Sequence, residues 1–509
     1  MSELRYVKPN SVITGWDFST GAVKCLAFDL KGNTLAEVRL PTDLWTEGGV
    51  SELSLLQLEG QARASVRAMA SKLRDIGRLD DWIAGGISGT HHTAGRLDAN
   101  QVQVRRAICW NDQTLAEYHG KGLERLGGDQ RVRQLINGPW AIRYSLSHLV
   151  KDEQTLSEAD WQRTQRIVTH GPASAGFLTG NFDVISVSAA ASTGIMDMKS
   201  REWCREMLDA IESPSYRELA WKQLPQIIDH YQPVGPLSEN IALEAGIASD
   251  RRPLVFPTSD DQQAGLVGGG AVDAGQLAII LGNSAVVNSA AGNLPKTDNL
   301  DLMALNWGPY LLMRCYTNGA QFLDPVVGPN PDWAALAAGA SACGPVPDGA
   351  SVLPFLFSEP SLGVHEPRYE WSQPEPTDPG VRFRVALEAL AYLMALGVEA
   401  HEQAGQTISR ISVSGGIAKS KITTQILASV LGKPLVTLES DEGPALGAAV
   451  TALAAMENHL RKADNDDEPY TVGDAVNAMV RFAGTVDPVA EWQGAYADGL
   501  AGFRAKIGT

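Results

Sequence analysis

Val12-Ile13-Thr14-Gly15-Trp16-Asp17-Phe18-Ser19-Thr20-Gly21-Ala22-Val23-Lys24 is the stretch from which the fold is read. An apolar run enters Gly15-Trp16-Asp17, small residues turn at Ser19 to Ala22, and residues 24–29 read as a return strand. Lys31-Gly32-Asn33 turns the chain again, and residues 34–40 make a third strand. This hairpin gathers an acid, two hydroxyls and an ammonium at one turn. Backbone N–H groups with Ser19 and Thr20 suit an anion, Lys24 adds charge, and Asp17 suits a hydrated Mg2+. An ordinary hairpin with a polar turn reads the same way.

The pattern returns downstream. Gln276-Leu277-Ala278-Ile279-Ile280-Leu281 is a strand, Gly282-Asn283-Ser284 a tight turn, and Ala285-Val286-Val287-Asn288 the return strand. Strand, small polar turn and strand in both places predict an internal duplication and two similar lobes. At 509 residues the chain exceeds what one core supports. The pattern restarts around Pro253, so the expected domains are residues 1–253 and 254–509.

Composition bounds the partners. With 44% hydrophobic and 20% charged residues the chain reads as a soluble globular protein. A formal charge of −17 argues against nucleic acid or an anionic membrane as the main partner. A nucleotide would have to bind through local amide donors or a divalent cation. Residues 1–10 read as a short leader without the pattern of a signal peptide, and no run of eighteen apolar residues suggests a membrane span. Five scattered cysteines without CxxC spacing read as reduced thiols of a cytoplasmic protein and argue against a structural metal site.

Between the hairpins, residues 54–73 carry helical periodicity and residues 83–88 form a short buried strand followed by Gly89-Thr90-His91-His92-Thr93. Loops at the ends of buried strands collect binding residues in open α/β sheets. Adjacent histidines on extended backbone point different ways, so one of His91 and His92 is expected to face a pocket; no third ligand supports a metal. Residues 107–110 read as a strand ending in Asn111-Asp112-Gln113-Thr114, a quartet suited to a polyol or to capping the next helix. Residues 115–250 read as mostly helical, with loops at 168–172 and 186–197.

Ser259-Asp260-Asp261-Gln262-Gln263-Ala264-Gly265 follows an apolar segment that ends in Pro257. Ser259 or Asp260 can cap a helix starting here, and the helix dipole would keep a first-turn carboxylate ionised. The pair reads either as a proton acceptor or as a plain cap. Further on, residues 383–404 form an amphipathic helix, and a buried strand at 408–413 leads through Ser414-Gly415-Gly416 into a helix at 422–431. That is a site for phosphates or a ribose. A strand at 435–438, Glu442-Gly443-Pro444-Ala445-Leu446-Gly447, a charged surface loop at 461–470 and a helical tail at 476–507 complete the chain.

These motifs, in this order, resemble the FGGY family of carbohydrate kinases, with xylulokinase-like sugar loops at Ser88-Gly89-Thr90-His91-His92 and Trp110-Asn111-Asp112. Asp261-Gln262-Gln263-Ala264-Gly265 is similar to the catalytic-base segment in its glycerol kinase wording. The resemblance covers residues 12–505 and implies an α/β protein with the two-lobed sugar kinase, heat-shock protein and actin superfamily fold, built from duplicated ribonuclease H-like domains. It implies ATP-dependent phosphorylation of a pentulose, xylulose or ribulose, in a cleft that closes over the substrates. Glycerol or another polyol is the alternative substrate. A catalytically dead sugar- or nucleotide-binding member is a further alternative, and Asp17 and Asp261 argue against it. A nicotinamide dehydrogenase is excluded because no strand–GxGxxG–helix unit surrounds Gly268 to Gly270.

Position by position, the resemblance makes Asp261 the general base and Asp260 its cap or support. It gives Mg2+ to Asp17, the sugar to His91, His92, Trp110, Asp112 and Gln262, and phosphates to Ser19, Thr20, Lys24, Gly282, Asn283 and Ser284. Gly415, Gly416, Lys419 and Gln425 border the nucleoside. The expected partners are ATP and a small sugar or polyol, with a homodimer as the assembly. Ser19 stands where the family usually has Gly, Gly21-Ala22 where it has hydroxyls, Thr93 for a Gly, and Thr258-Ser259 for Gly-Gly; residues 144–151 depart from its Lys-x-x-Trp segment.

Overall fold

The computed structural model describes residues 3–295, 299–440 and 442–508. The chain forms two compact units: Met1–Gly268, Leu302–Tyr310 and Glu442–Val480 make the first, and Gly269–Asp301, Leu311–Asp441 and Arg481–Thr509 the second.

In the first unit, β1 (Val12–Phe18) is buried at every position, because helices cover its sheet. It pairs antiparallel with β2 (Ala22–Phe28), which pairs antiparallel with β3 (Thr34–Pro41). Its other edge runs parallel to β4 (Trp82–Gly89), and Leu254–Val255 and Ser259–Asp260 run parallel to β4 in turn. The helix Leu55–Asp75 is capped by Ser54, whose Oγ accepts from the Gln57 N–H at 3.3 Å. Leu58, Ala62, Val66 and Met69, at helical spacing, are buried in the same core as Trp16, Phe18 and Trp82. The two indoles satisfy their N–H groups within it: Trp16 donates to Ser65 Oγ and Trp82 to Thr14 Oγ1, each at 3.0 Å.

The helix Gly443–Ala463 packs against β1, β4 and the short helix Asp261–Gly268. Contact is so close that a Cβ on Gly15 would lie 1.8 Å from the Ala445 carbonyl oxygen, and one on Gly447 would lie 1.9 Å from that of Ala264. A second, antiparallel sheet, in the order Leu44–Glu47, Val50–Leu53, Gln103–Ile108, Ala94–Asp98, Thr164–Thr169, carries the loops at 90–93 and 109–114.

The second unit repeats the opening motif. β5 (Gln276–Leu281) pairs antiparallel with β6 (Ala285–Ala291) and parallel with β7 (Arg410–Ser414). β7 runs parallel to β8 (Leu435–Leu438), and β9 (Phe482–Val486) closes this edge antiparallel. A hairpin with a parallel strand on its first edge is therefore built twice, as β1–β2 with β4 and as β5–β6 with β7. The mixed α/β architecture and its duplication follow the expectation. Among the described residues, no helix is long and apolar enough to cross a membrane.

Several local expectations are corrected. The segment 168–172 is no loop: strand Thr164–Thr169 passes directly into helix His170–Thr179, where Pro172 falls in the first turn and loses no helical bond. Val187–Ala191 is a helical turn capped by Ser186. The tail contains β9 between its helices, an exposed edge strand with no alternating pattern that would reveal it. The region 461–470 is not all surface, since Arg461 and Tyr470 are buried. Glu457 organises it, pairing with Arg461 at 2.9 Å and accepting the backbone N–H groups of Arg5 and Val7 at 2.9 Å each. The expected leader is thereby tied down from Arg5 onward; Met1 and Ser2 lie outside the described residues.

Candidate active site

Strand pairing gathers the first unit's candidates. In the β1–β2 register Asp17 lies opposite Lys24, and in the β1–β4 register it lies beside Ser88, whose Oγ donates to Asp17 Oδ1 at 3.3 Å. Asp17 is buried, and loss of water pushes it up to about 7, opposed by Lys24 and reinforced by Asp261. Lys24 Nζ is bound to Glu442 Oε2 at 2.6 Å. Ser19 closes its own turn: its N–H and its hydroxyl both donate to the Ala22 carbonyl, at 3.0 and 2.7 Å. Thr20 is partly exposed beside it.

Ser259–Asp260 runs parallel to β4 with Asp260 opposite Gly89, which sets the two carboxylates beside the loop that leaves β4. Asp260 Oδ1 accepts from the Gln263 N–H at 2.8 Å and so caps the helix Asp261–Gly268; its Oδ2 accepts from Ser188 Oγ at 3.0 Å. Asp261 is the first residue of the helix, and its Oδ1 has no hydrogen-bond partner among the described residues. The helix dipole, expected to keep a first-turn carboxylate ionised, here works against burial. Burial pushes Asp260 up to about 6 and Asp261 also upward, and an eight-residue helix does not offset that loss of water.

The two histidines do not point apart. Their rings stack at 4.0 Å with 6° between planes, and His92 stacks on Tyr144 at 4.3 Å. The reason is backbone: His92 has φ +60°, the left-handed region, so the alternation of an extended chain does not apply. His91 Nε2 lies 3.4 Å from Asp260 Oδ2, and single ligand-type atoms of His91, Asp260 and Asp261 all fall within 4.8 Å of one another. His92 donates from Nδ1 to the Ser192 carbonyl at 2.8 Å. Burial holds its ring neutral, so Nε2 is an acceptor, and this atom is buried with no partner among the described residues.

Asp112 belongs to a network of its own. Trp110 is 47% exposed. Asp112 accepts from the Thr114 N–H at 2.8 Å and from Lys151 Nζ at 3.1 Å, and also from the Ser51 N–H at 3.4 Å. Its carboxylate orders its own loop. Of the paired glutamines, Gln263 is buried and donates to the Ala304 carbonyl at 2.7 Å, while Gln262 is partly exposed.

In the second unit, Ile280 pairs with Ser414, which puts the turn 282–284 beside Gly415. Gly415 has φ +105°, and a Cβ there would lie 2.2 Å from the Leu281 carbonyl oxygen, so only glycine permits the approach. The turn is fixed from behind, where Gly319 N–H donates to the Asn283 carbonyl at 3.0 Å and Ala320 N–H to that of Gly282 at 2.8 Å. Gly416 and Lys419 bound a short 3-10 turn, and Gln425 lies on the helix Lys421–Leu431 that follows.

Family models match over both parts of the chain. The model described as FGGY family of carbohydrate kinases, N-terminal domain, matches residues 12–268, and its C-terminal counterpart matches residues 334–456. The chain belongs to the FGGY family of carbohydrate kinases. It is similar to a xylulose kinase of Escherichia coli (strain K12), at 27% identity over 87% of this chain and 89% of that one. A glycerol kinase of Citrifermentans bemidjiense is 25% identical over 86% and 88%. The fold is that of a xylulose kinase from Rhodospirillum rubrum, with TM-score 0.82, 19% identity and 98% of both chains covered. The protein is thus an ATP-dependent carbohydrate kinase.

Sequence reasoning missed three residues that hold the candidate site residues in place. Ser188 holds Asp260. Asn306 clamps the loop before the carboxylates, accepting from the Ser188 N–H at 2.8 Å and donating to the Thr258 carbonyl at 2.9 Å. Glu442 holds Lys24. Each lies far along the chain from its partner, so no local pattern announces it. For a divalent cation, Asp17 fits as a ligand: burial raises its carboxyl more than Lys24 lowers it, its hydrogen bond from Ser88 is long, and a bound cation would keep it ionised.

Proposed function

We propose that this carbohydrate kinase transfers the γ-phosphoryl group of ATP to a hydroxyl of a pentulose, xylulose or ribulose, with Asp261 taking the hydroxyl proton. The observation that carries the reading is the pairing of an unengaged carboxylate oxygen on Asp261 with the partnerless Nε2 acceptor of His92, on adjoining segments of one unit. His92 orients the sugar by accepting from one of its hydroxyls, while Asp261 accepts the proton from the hydroxyl that attacks phosphorus. General-base help of this kind supplies about 10²–10⁴ in rate, and positioning with charge neutralisation supplies the rest.

Mg2+ held at Asp17 would neutralise phosphate charge. Lys24, Ser19 and Thr20 receive phosphates in the first unit; Gly282, Asn283 and Ser284 do so in the second, with Gly415, Gly416, Lys419 and Gln425 around the nucleoside. The labour runs by function as residues 1–253 for the sugar and first hairpin and 254–509 for base and nucleotide. Names of relatives support a pentulose: the E. coli chain is a xylulose kinase. The wording Asp261-Gln262-Gln263-Ala264 and the glycerol kinase relative favour glycerol as the second reading. We also place the enzyme in the cytoplasm, as a homodimer. A coupled ADP-release screen over pentuloses, polyols and aldoses tests the function; turnover of glycerol above every pentulose would overturn the substrate, and no turnover of any would overturn the activity.

A further inference from the structure

His91 and Asp260 form a contact for which phosphoryl transfer to a sugar has no evident use. The parallel pairing of Ser259–Asp260 with β4 places Asp260 opposite Gly89, two residues before His91. Asp260 is 4% exposed and cannot swing away, because Ser188 Oγ and the Gln263 N–H hold its two oxygens at 3.0 and 2.8 Å. His91 is 6% exposed, one ring face is covered by His92 at 4.0 Å, and Nε2 stands 3.4 Å from Asp260 Oδ2. Its reactive edge is turned to carboxylates.

We propose that His91 and Asp260 are positioning residues that act through Asp261: an imidazolium at His91, beside Asp260, keeps the neighbouring Asp261 carboxylate in its proton-accepting form. The inference rests on the assignment of Asp261 as base. Two carboxylates side by side, one buried and one partly exposed, disfavour each other's ionisation, and one proton shared between them would leave the base occupied. A cation between them removes that conflict. Asp261 reflects this balance: burial and Asp260 push it up, while the His91 ring and backbone N–H pull it down.

The other charges that face the cluster come from each neighbouring element. Asp17 on β1 interacts electrostatically with Asp261, and Lys24 and Glu442 act on Asp17 in turn. On the far side of His91 stand the neutral His92 and the Arg143 guanidinium. With His91 protonated and Asp260 ionised, as the proposal requires, local charge at the pair is zero in the parent, −1 in His91→Gln, +1 in Asp260→Asn, and zero in the double variant.

The test is the acid limb of kcat/KM for the sugar, which reports the base in the free enzyme. His91→Gln is expected to move that limb to higher pH by about half a unit or more, Asp260→Asn to move it lower, and the double variant to restore it, with sugar KM within about threefold throughout. The Asp260→Asn arm stands by itself where His91→Gln does not fold. A limb that stays put in both single variants overturns the inference. So does a sugar KM that rises tenfold at all pH, which would make His91 a sugar contact. A higher Mg2+ requirement with no change of limb would make the cluster a cation site and also overturn it. Asp261→Asn separates the readings: normal turnover in that variant removes the base assignment, whereas lost turnover with unmoved limbs removes only the role of His91 and Asp260.

Discussion

Lys24 Nζ and Glu442 Oε2 are 2.6 Å apart across 418 residues of sequence, and Arg39 reaches the other oxygen of the same carboxylate at 3.1 Å. The lysine proposed to meet a phosphate is thus already neutralised by an acid at the start of the helix Gly443–Ala463. Phosphate and Glu442 compete for it. The pair is partly exposed, so its contribution is about 1 kcal/mol at most. Glu442→Gln should lower the KM for ATP by up to about fivefold, and Lys24→Ala should raise it. A higher ATP KM in Glu442→Gln would show the pair to be a brace and not a competitor.

Asp261→Asn should leave nucleotide affinity near that of the parent and lower kcat at least about a hundredfold. Nucleotide binding by calorimetry and turnover by coupled assay separate the two. Unchanged turnover would remove Asp261 from the chemistry.

His92→Ala should raise the KM for the sugar more than that for ATP, because it deletes the buried Nε2 acceptor and opens the ring stack with Tyr144. The reverse ordering would take His92 out of the sugar site.

Activity should vanish in chelator and return with Mg2+, and Asp17→Asn should need more of the metal for half activity. Full turnover in chelator would contradict the metal role given to Asp17.

Stability should fall as the solution is acidified below pH 6.5. Burial lowers His170, His230 and His401 to about 4. The neutral forms of two of them are bound in place: Thr90 N–H donates to His170 Nδ1 at 3.2 Å, and His401 bridges Ser289 Oγ and the Val287 carbonyl at 2.8 and 3.0 Å. A histidine with a depressed value gives stability that is fully present above 6.5 and is lost as pH falls towards 4, because the unfolded chain takes up the proton first. Each can contribute on the order of 3 kcal/mol. Melting temperatures from pH 8 to 4.5 should drop across this window, and His401→Gln should flatten the drop; a flat parent profile would refute it.

Sequence legibility followed the range of the interactions. Both hairpins were readable, because a strand, a turn of small polar residues and a return strand are written in consecutive residues. So was the cap at Asp260, one residue before a helix. The stacked histidines were not, since a single left-handed residue at His92 reverses the inference from extended backbone. Nor were Lys24–Glu442, Ser188–Asp260 or Asn306–Thr258, whose partners meet only after the chain has folded. Asp112 shows a further limit: the residue type suits a polyol, but Lys151 and Thr114 engage it first.

The first unit takes in Glu442–Val480 after the chain has gone out to build most of the second. On the ribosome, β1 and β4 therefore emerge hundreds of residues before the helix that covers them, and their glycines Gly15 and Gly86 stay bare of the Ala445 and Ala448 carbonyls until synthesis is nearly complete. Domain-by-domain maturation from the N-terminus is closed to this polypeptide. A nascent chain stopped at residue 268 is an unfinished object with an apolar face open to chaperones, and a separately supplied 442–480 peptide is the piece that would seal it.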